Sequence, residues 1–182
     1  MLLSLTPPDQ KLIKYEKNGH FNTWAFVTHG SQLPAQAVRF MGRPLNRDPS
    51  AKEAYVGWWY ANGGRESTFG HVKRCDNGQM VAWFPWGDRE WYSDSTGEFR
   101  VLVNQTNETY LWVHPGEVRS NPGYDLCVAD GYCPAIVMIS GEEWAGKASL
   151  DRRMAWTGAG GKEYFHTGYA FDNCYVLVRK DY

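Results

Sequence analysis

The sequence predicts an all-β protein made of two tandem repeats of short antiparallel strands, forming a pseudo-two-fold β-sandwich or barrel-like body. The first two observations are compositional: 9 Trp, 11 Tyr and 8 Phe stand beside 19 Gly in 182 residues. Aromatic side chains fit a pleated surface, and glycine supplies the positive φ that tight turns require. The third observation is an internal repeat, because two segments carry similar residues in the same order.

The repeat is clearest around two tryptophans. Residues 80–90 match residues 153–163, which places Trp83 and Trp156 73 positions apart. The strand-like endings 99–103 and 174–178 are 75 positions apart, whereas Trp24 and Trp112 are 88 positions apart. Loop insertions produce such drift, and the extra residues fall in the polar stretch 43–53. Two similar copies therefore follow one another along the chain.

Each copy predicts four strands separated by glycine- and proline-containing turns, a spacing typical of a sandwich or barrel. We divide the chain into an amino-terminal arm at 1–20, a first repeat at 21–108 and a second repeat at 109–182. The arm contains Pro7-Pro8 and a charged run at 11–17, and it is either a free arm or an extra edge strand. The predicted strands are 24–28, 55–60, 79–83 and 99–103, then 110–113, 135–139, 154–156 and 175–178.

Charge and hydropathy exclude several classes of protein. The 19 basic residues are scattered among 20 acidic ones, so nucleic acid is not an expected partner. No apolar run approaches the roughly 20 residues that span a bilayer, so we predict no transmembrane segment. The start lacks the basic and apolar regions of a signal peptide, which predicts a cytoplasmic protein or one secreted by an unconventional route.

The four cysteines have no metal-ligand spacing, and we expect buried thiols. Only Cys127 and Cys133 are close enough in sequence to suggest a local disulfide. No acidic loop has calcium-ligand spacing, so we predict neither a metal nor another cofactor.

Catalytic signatures are missing from the sequence. It contains no nucleophile elbow, no phosphate-binding loop and no metal-spaced histidine pair. Duplication favours a binder, because two sites or a dimer add avidity. We therefore predict that the protein is not an enzyme and that it forms a homodimer.

Ordered short motifs add a family resemblance. Over residues 24–178 the pattern resembles the DM-nine repeat family, although the first copy has Gly70-His71 in place of Gly-Lys and Asp88-Arg89-Glu90 in place of Gly-Lys-Glu. The motifs of the second copy are Gly123-Tyr124-Asp125, residues 141–147, Gly161-Lys162-Glu163 and residues 175–178.

That family includes mannose-binding lectins of invertebrate innate immunity, and its repeat precedes the pore-forming part of natterin-like proteins. The resemblance implies a carbohydrate-binding, lectin-like module for mannose-type or related glycans. It also implies that Asp125 and Lys147 contact the sugar. The alternative is that Asp125 caps a turn and Lys147 is a solvated strand residue.

Three further side chains are candidates for the sugar site. Glu142 could hold the Lys147 ammonium or accept a sugar hydroxyl, or it is a plain hairpin residue. Trp144 is either a stacking platform or a core residue. His71 aligns with Lys147 in the first copy, where it is a ligand or a structural histidine.

Four acidic residues accompany these candidates. Glu66 and Asp48 are possible carboxylates of a first-copy site near His71. Glu90 and Glu163 recur at one repeat position, where we expect them to anchor turn backbone or the repeat interface.

A second function class remains open. The repeats could form a structural or scaffolding module that contacts proteins through its aromatic surface, with residues 58–60 and 83–86 as the richest clusters. Departures from the family motifs in the first copy favour this alternative.

Overall fold

The chain folds almost entirely into antiparallel strands. The computed structural model describes residues 12–17, 20–47 and 53–180, with side chains from residue 22 onward. The strands of these ranges are β1 (Leu12–Lys17), β2 (His20–Val27), β3 (Ala54–Tyr60), β4 (Glu66–Arg74), β5 (Met80–Trp86), β6 (Arg89–Tyr92), β7 (Phe99–Val103), β8 (Thr109–Val113), β9 (Tyr124–Leu126), β10 (Cys133–Ile139), β11 (Glu142–Ser149), β12 (Met154–Ala159), β13 (Lys162–His166) and β14 (Tyr175–Lys180). Three short helices are α1 (Ala61–Gly64), α2 (Pro115–Ser120) and α3 (Tyr169–Asp172).

The strand order repeats with inverted direction across the sheet. The order is β1-β2-β7-β3-β4-β5-β6-β13-β12-β11-β10-β14-β8, and β9 pairs with β14 beside this path. We call β2–β7 the first half and β8–β14 the second half. The halves meet in the sheet at one pair, Lys162 opposite Arg89. The predicted all-β, pseudo-two-fold body is confirmed.

Equivalent residues of the halves follow from the strand registers. Three cross-strand pairs of the first half recur at matching places in the second, and they equate His71 with Lys147, Trp83 with Trp156 and Glu90 with Glu163. The pairs are Gly57–Gly70 with Ala135–Gly146, His71–Trp83 with Lys147–Trp156, and Pro85–Glu90 with Gly158–Glu163.

Gly70 and Gly146 are glycines for the same steric reason. A Cβ on Gly70 would lie 1.9 Å from the Trp83 carbonyl oxygen, and one on Gly146 would lie 1.9 Å from the Trp156 carbonyl oxygen. Real Cβ atoms do not approach a backbone oxygen so closely. This close approach brings the His71 and Lys147 strands against their tryptophan-bearing neighbours.

Each half has a hydrophobic cluster made of its own residues alone, which we call its private cluster, and a further cluster contains residues of both halves. The shared cluster combines Trp24, Trp58 and Phe69 of the first half with Ile136 and Leu177 of the second. Because strand side chains alternate between faces, β14 sends Leu177 into the shared cluster and its flanking valines into the private one.

The eight predicted strands all coincide with observed ones, but β4, β6, β9, β11 and β13 were not predicted. Part of the predicted arm forms β1, which pairs with β2; residues 1–11, 18 and 19 lie outside the described residues. Cys127, Cys133 and Cys174 are buried free thiols, whereas Cys75 is half-buried. The limits of the two repeats stay a prediction. Within the described ranges, each helix is too short and too polar to cross a bilayer.

Candidate functional site

Lys147 lies in a closed site inside the second half. Its side chain is 4% exposed, and its Nζ donates to the Pro85 carbonyl oxygen at 2.7 Å and to Glu163 Oε2 at 3.1 Å. Nζ also lies 5.3 and 5.6 Å from the ring centroids of Tyr132 and Trp156. We call Lys147, Glu163, Tyr132 and Trp156 the filled site. A sugar hydroxyl cannot reach this ammonium, which corrects the prediction for Lys147.

Burial and pairing act in opposite directions on Lys147. Desolvation lowers its pKa, while the neighbouring Glu163 carboxylate raises it. Because Nζ also reaches Pro85 of the first half, the pair ties the two halves together. Glu163 therefore anchors the repeat interface, as expected from its recurrence in the sequence.

Asp125 has a structural partner far from Lys147. It lies on β9, and Arg179 Nη2 on β14 donates to its Oδ2 at 3.2 Å. The Arg179 side chain is buried, and its Nε lies 3.9 Å from Glu108 Oε2. Lys147 instead pairs with β10 and β12. The structure thus does not bring Asp125 and Lys147 together as one sugar site.

Glu142 and Trp144 begin β11 and contact each other. Trp144 Nε1 donates to Glu142 Oε2 at 3.2 Å, and Glu142 is exposed. The Arg47 guanidinium carbon lies 3.3 Å from the Trp144 ring centroid. A ring face covered by a guanidinium is not an open stacking platform, so Trp144 differs from that expectation.

An open cavity of about 320 Å³ lies at the first-half counterpart of the filled site, and residues of both halves line it, with Glu143, Ala145, Ala159 and Gly160 from the second. His71 stacks on Trp83 there, with ring centroids 5.1 Å apart and planes at 13°. Glu90, Arg47 and Lys73 also line it. Glu66 accepts from Trp86 Nε1 at 2.7 Å instead, and Asp48 lies outside the described residues. His71 is therefore the one predicted candidate at a solvent-open cavity.

Two small residues keep this cavity open. Ala54 stands at the register position of Tyr132, and Ala145 stands at the register position of Phe69. Both alanines line the open cavity, whereas the Tyr132 ring packs beside Lys147. Smaller side chains at these two equivalent positions therefore contribute to the difference between the open site and the filled one.

Glu90 is the acidic group that the first half contributes to the open cavity, beside Glu143 of the second. Burial raises the pKa of Glu90, against a backbone hydrogen bond at Gly161 and the charges of Arg47 and Lys73, which lower it. Among the residues that the structure describes, neither of these cations forms an ion pair with Glu90. Its counterpart Glu163 accepts a hydrogen bond from the Lys147 ammonium, so the two glutamates differ in whether a cation binds them directly.

The sequence did not reveal a second tie between the halves. Arg43 donates through both terminal nitrogens to Glu143, at 2.7 and 2.9 Å, and the Asn46 backbone N–H donates to the same carboxylate at 2.9 Å. The Arg43 hydrogen bond lowers the pKa of Glu143. Residues 43–46 are thereby fixed over β11, and they form one side of the open cavity.

An exposed aromatic cluster was also missed. Tyr164 and Phe165 of β13 and Tyr169 of α3 are 46%, 68% and 84% exposed. Their first-half counterparts on β6 are covered, because Trp91 packs on Trp59 and Tyr92 lies against His29. Because neighbours along a strand face opposite sides of the sheet, Tyr164 and Phe165 expose aromatic rings on both faces of β13.

Comparison with known families identifies the chain. Residues 21–181 match the model of a family described as "MFP2b: Cytosolic motility protein". The chain belongs to this family. Sequence comparison with curated proteins finds no relative.

The MFP2b assignment agrees with a solved structure. The chain resembles the crystal structure of the nematode sperm cell motility protein MFP2B, with 29% identity and a TM-score of 0.78. The match covers 88% of this chain and 46% of that protein, so the chain spans about half the length of its solved relative.

These findings correct the family and function predicted from the sequence. The DM-nine assignment was wrong, and with it the mannose-type lectin, its glycan partners and the role in innate immunity. Of the two predicted function classes, the structural one agrees with a motility family. The family is described as cytosolic, which agrees with the cytoplasmic expectation, and nothing supports unconventional secretion.

Proposed function

We propose that this chain is a structural, non-catalytic protein-interaction module of a cytosolic motility apparatus. The observation that carries the proposal is the family match over residues 21–181. The solved relative is named as a sperm cell motility protein, and more than half of its length lies outside the match. We therefore assign the chain a contribution to motility through contacts, not a complete motility activity.

The charged groups support a structural role. Three acid–base pairs hold strands or loops in place and have their charges satisfied within the fold. They are Lys147–Glu163, Arg43–Glu143 and Arg179–Asp125. Such pairs rigidify a scaffold, whereas a catalytic acid or base needs access to a substrate.

The aromatic surface supports protein contacts. Tyrosine and phenylalanine are enriched at protein interfaces, where charged residues are depleted from the centre. The exposed cluster Tyr164, Phe165 and Tyr169 has this character. We keep the homodimer in this proposal, because association would bury these rings.

A reconstitution experiment tests the role in motility. Purified chain is added at graded concentrations to cytosol from motile nematode sperm, and the rate of motile assembly is measured. We expect a rate that depends on the concentration of the chain. The variant Tyr164→Ser/Phe165→Ser/Tyr169→Ser should lose most of the effect.

The matched control keeps the aromatic cluster and changes exposed charges. Lys162→Ser/Asp151→Ser should act like the unmodified chain. A rate of assembly that does not change with the concentration of the chain would contradict the proposed function. Equal effects of the aromatic and the charge variant would show that the aromatic surface has no part in that function.

A further inference from the structure

We propose that the open cavity of the first half receives the Tyr169 side chain of a second copy of this chain. The inference deepens the proposed function, because it rests on the chain acting through protein contacts and names one of them. The filled site of the second half serves as the internal template for what the cavity accepts.

The template shows which groups complement the glutamate. In the filled site a tyrosine ring, Tyr132, lies beside a donor, the Lys147 ammonium, which donates to Glu163. In the open cavity Ala54 stands at the Tyr132 position and the shorter His71 stands at the Lys147 position. The open cavity therefore has neither a tyrosine at the Tyr132 position nor an ammonium at the Lys147 position. One inserted tyrosine brings a ring and an O–H together.

The lining of the cavity suits an aromatic ring. The aliphatic side chains of Leu45, Ala54 and Ala145 form apolar walls, and Arg47 and Lys73 bring cations to the same space. Cations attract the negative face of a ring. Both residues already lie over tryptophans, Arg47 at 3.3 Å from Trp144 and Lys73 Nζ at 5.5 Å from Trp83. A further ring would extend this alternation of cations and aromatics.

The size of the cavity fits one side chain. Its volume of about 320 Å³ is at the lower end of the roughly 300 to 1,000 Å³ that ligand pockets occupy. A single phenol ring enters such a space with room beside it, whereas a folded element does not enter it. The contact is therefore a side chain inserted into a socket, not a strand added to the sheet.

Tyr169 protrudes from a well-anchored position. It is 84% exposed at the start of α3, whose Phe171 is 2% exposed in the core of the second half. Arg153 Nη2 donates to Asp172 Oδ1 at 2.8 Å, and the Asn173 backbone N–H donates to the Tyr169 carbonyl at 3.0 Å. A ring held outward on fixed backbone loses little conformational freedom on binding.

The neighbouring exposed aromatics fit the socket less well. Phe165 is 68% exposed but has no hydroxyl to donate to Glu90, and Tyr164 is 46% exposed. Tyr169 combines the greatest exposure with a donor. These differences single out one residue and give the experiment its internal control.

Insertion between copies closes a symmetric dimer. Tyr169 belongs to the second half, whereas the cavity is lined by both halves and takes His71, Trp83 and Glu90 from the first. When each copy gives its Tyr169 and receives the other, the same surface serves both partners, as a two-fold axis requires. Stable interfaces bury about 800 Å² per partner, and one ring given with one socket filled supplies only part of that. We expect a weak dimer.

The test is sedimentation equilibrium of the purified chain in buffer, from about 1 to about 500 µM, a range that resolves weak dimers. Tyr169→Ala and Ala145→Phe, which restores the counterpart of Phe69, should each raise the dimer dissociation constant more than tenfold. Tyr169→Phe should raise it about threefold, and Phe165→Ala should leave it within twofold. Circular dichroism checks the folding of each variant, and Ala54→Tyr replaces Ala145→Phe if that variant unfolds.

A mixing experiment adds a sharper arm. Tyr169→Ala keeps the socket and Ala145→Phe keeps the tyrosine, so an equimolar mixture should regain one of the two contacts and associate more than either alone. A chain that stays monomeric at all concentrations overturns the proposal. So does a mixture no better than its components, or a Phe165→Ala loss equal to that of Tyr169→Ala. Because no cytosol is present, such failure is separate from failure of the role in motility.

Discussion

The filled site and the open cavity occupy the same place in the two halves of one sheet. Both have a tryptophan paired across the strands with the central residue, which is His71 or Lys147, and a glutamate from the following hairpin. In both, a glycine precedes the central residue and lets the neighbouring strand approach closely. In the second half Lys147 and Tyr132 close the site, whereas in the first half His71 and Ala54 leave about 320 Å³ open. The strand pairing was thus kept after duplication, while a few side chains changed.

Removing the cation of the filled site should have the largest effect. Lys147→Met leaves Glu163 largely buried without its partner, and breaking a buried ion pair costs about 3–5 kcal/mol. His71→Met, beside the open cavity, should cost below about 1 kcal/mol. Urea unfolding of both variants checks the difference. Equal losses would mean that the two sites do not differ in their energetics.

The conserved glycines should respond alike. Gly70→Ala and Gly146→Ala each place a Cβ within 1.9 Å of a backbone oxygen, and overpacking of this kind costs about 1–3 kcal/mol or more. We expect losses in the free energy of unfolding that agree within about 0.5 kcal/mol. Gly116→Ala, with nothing near its Cβ, is the control. A large difference between the two would break the equivalence of the halves.

Acid should weaken the second half through His166. Its Nε2 lies 2.9 Å from Thr157 Oγ1, and burial lowers its pKa below the usual histidine value of 6.5. The folded state then holds the proton less well than the unfolded state, so this contribution is present above pH 6.5 and is lost as the pH falls below it. The loss should stay below about 1 kcal/mol, because the ring is partly solvated.

Thermal unfolding between pH 7.5 and 5 measures this dependence. His166→Gln should flatten the acid side of the curve. The first half has Ser93 at the equivalent place, and its hydroxyl lies 2.8 Å from His29 Nδ1. A curve unchanged by the substitution would assign the pH dependence to other groups.

The paired glutamates should respond with opposite signs, and the change at Glu90 is the smallest effect that we expect. Burial raises the pKa of Glu90, so its ionised form disfavours folding, and its contribution to stability declines as the pH rises through the folded pKa. Glu90→Gln should stabilise the protein at pH 7 by on the order of 0.5 kcal/mol, after allowance for solvent. Glu163→Gln should destabilise it. Two shifts of the same sign would contradict the distinction between filled and open sites.

Sequence reasoning found the apolar strands and missed the polar ones. The strands around Trp24, Trp83 and Val176 carry aromatic or β-branched residues in strand-like patterns. By contrast, β11 and β13 contain charged residues beside glycine turns and were assigned to turns. Lys147 looked solvated for the same reason, since its acceptor, the Pro85 carbonyl, lies 62 residues away. Contacts between halves are not visible in local pattern.

The family error has a related physical cause. Short Gly-Tyr-Asp and Gly-Lys-Glu motifs describe turns, and a Tyr-x-Val-Leu-Val ending describes a buried strand. Any duplicated antiparallel sheet can satisfy these requirements, so such motifs carry little information about a ligand. Asp125 illustrates the point, because its carboxylate serves the buried Arg179 inside the fold.

The core cluster shared by both halves has an evolutionary consequence. Phe69 and Trp24 pack in one cluster with Ile136 and Leu177, although the segments are far apart in sequence. A volume change on one side must be met by an opposite change on the other, because the interior is close-packed. Positions of the two halves should therefore covary among relatives, and neither half can drift independently of its duplicate.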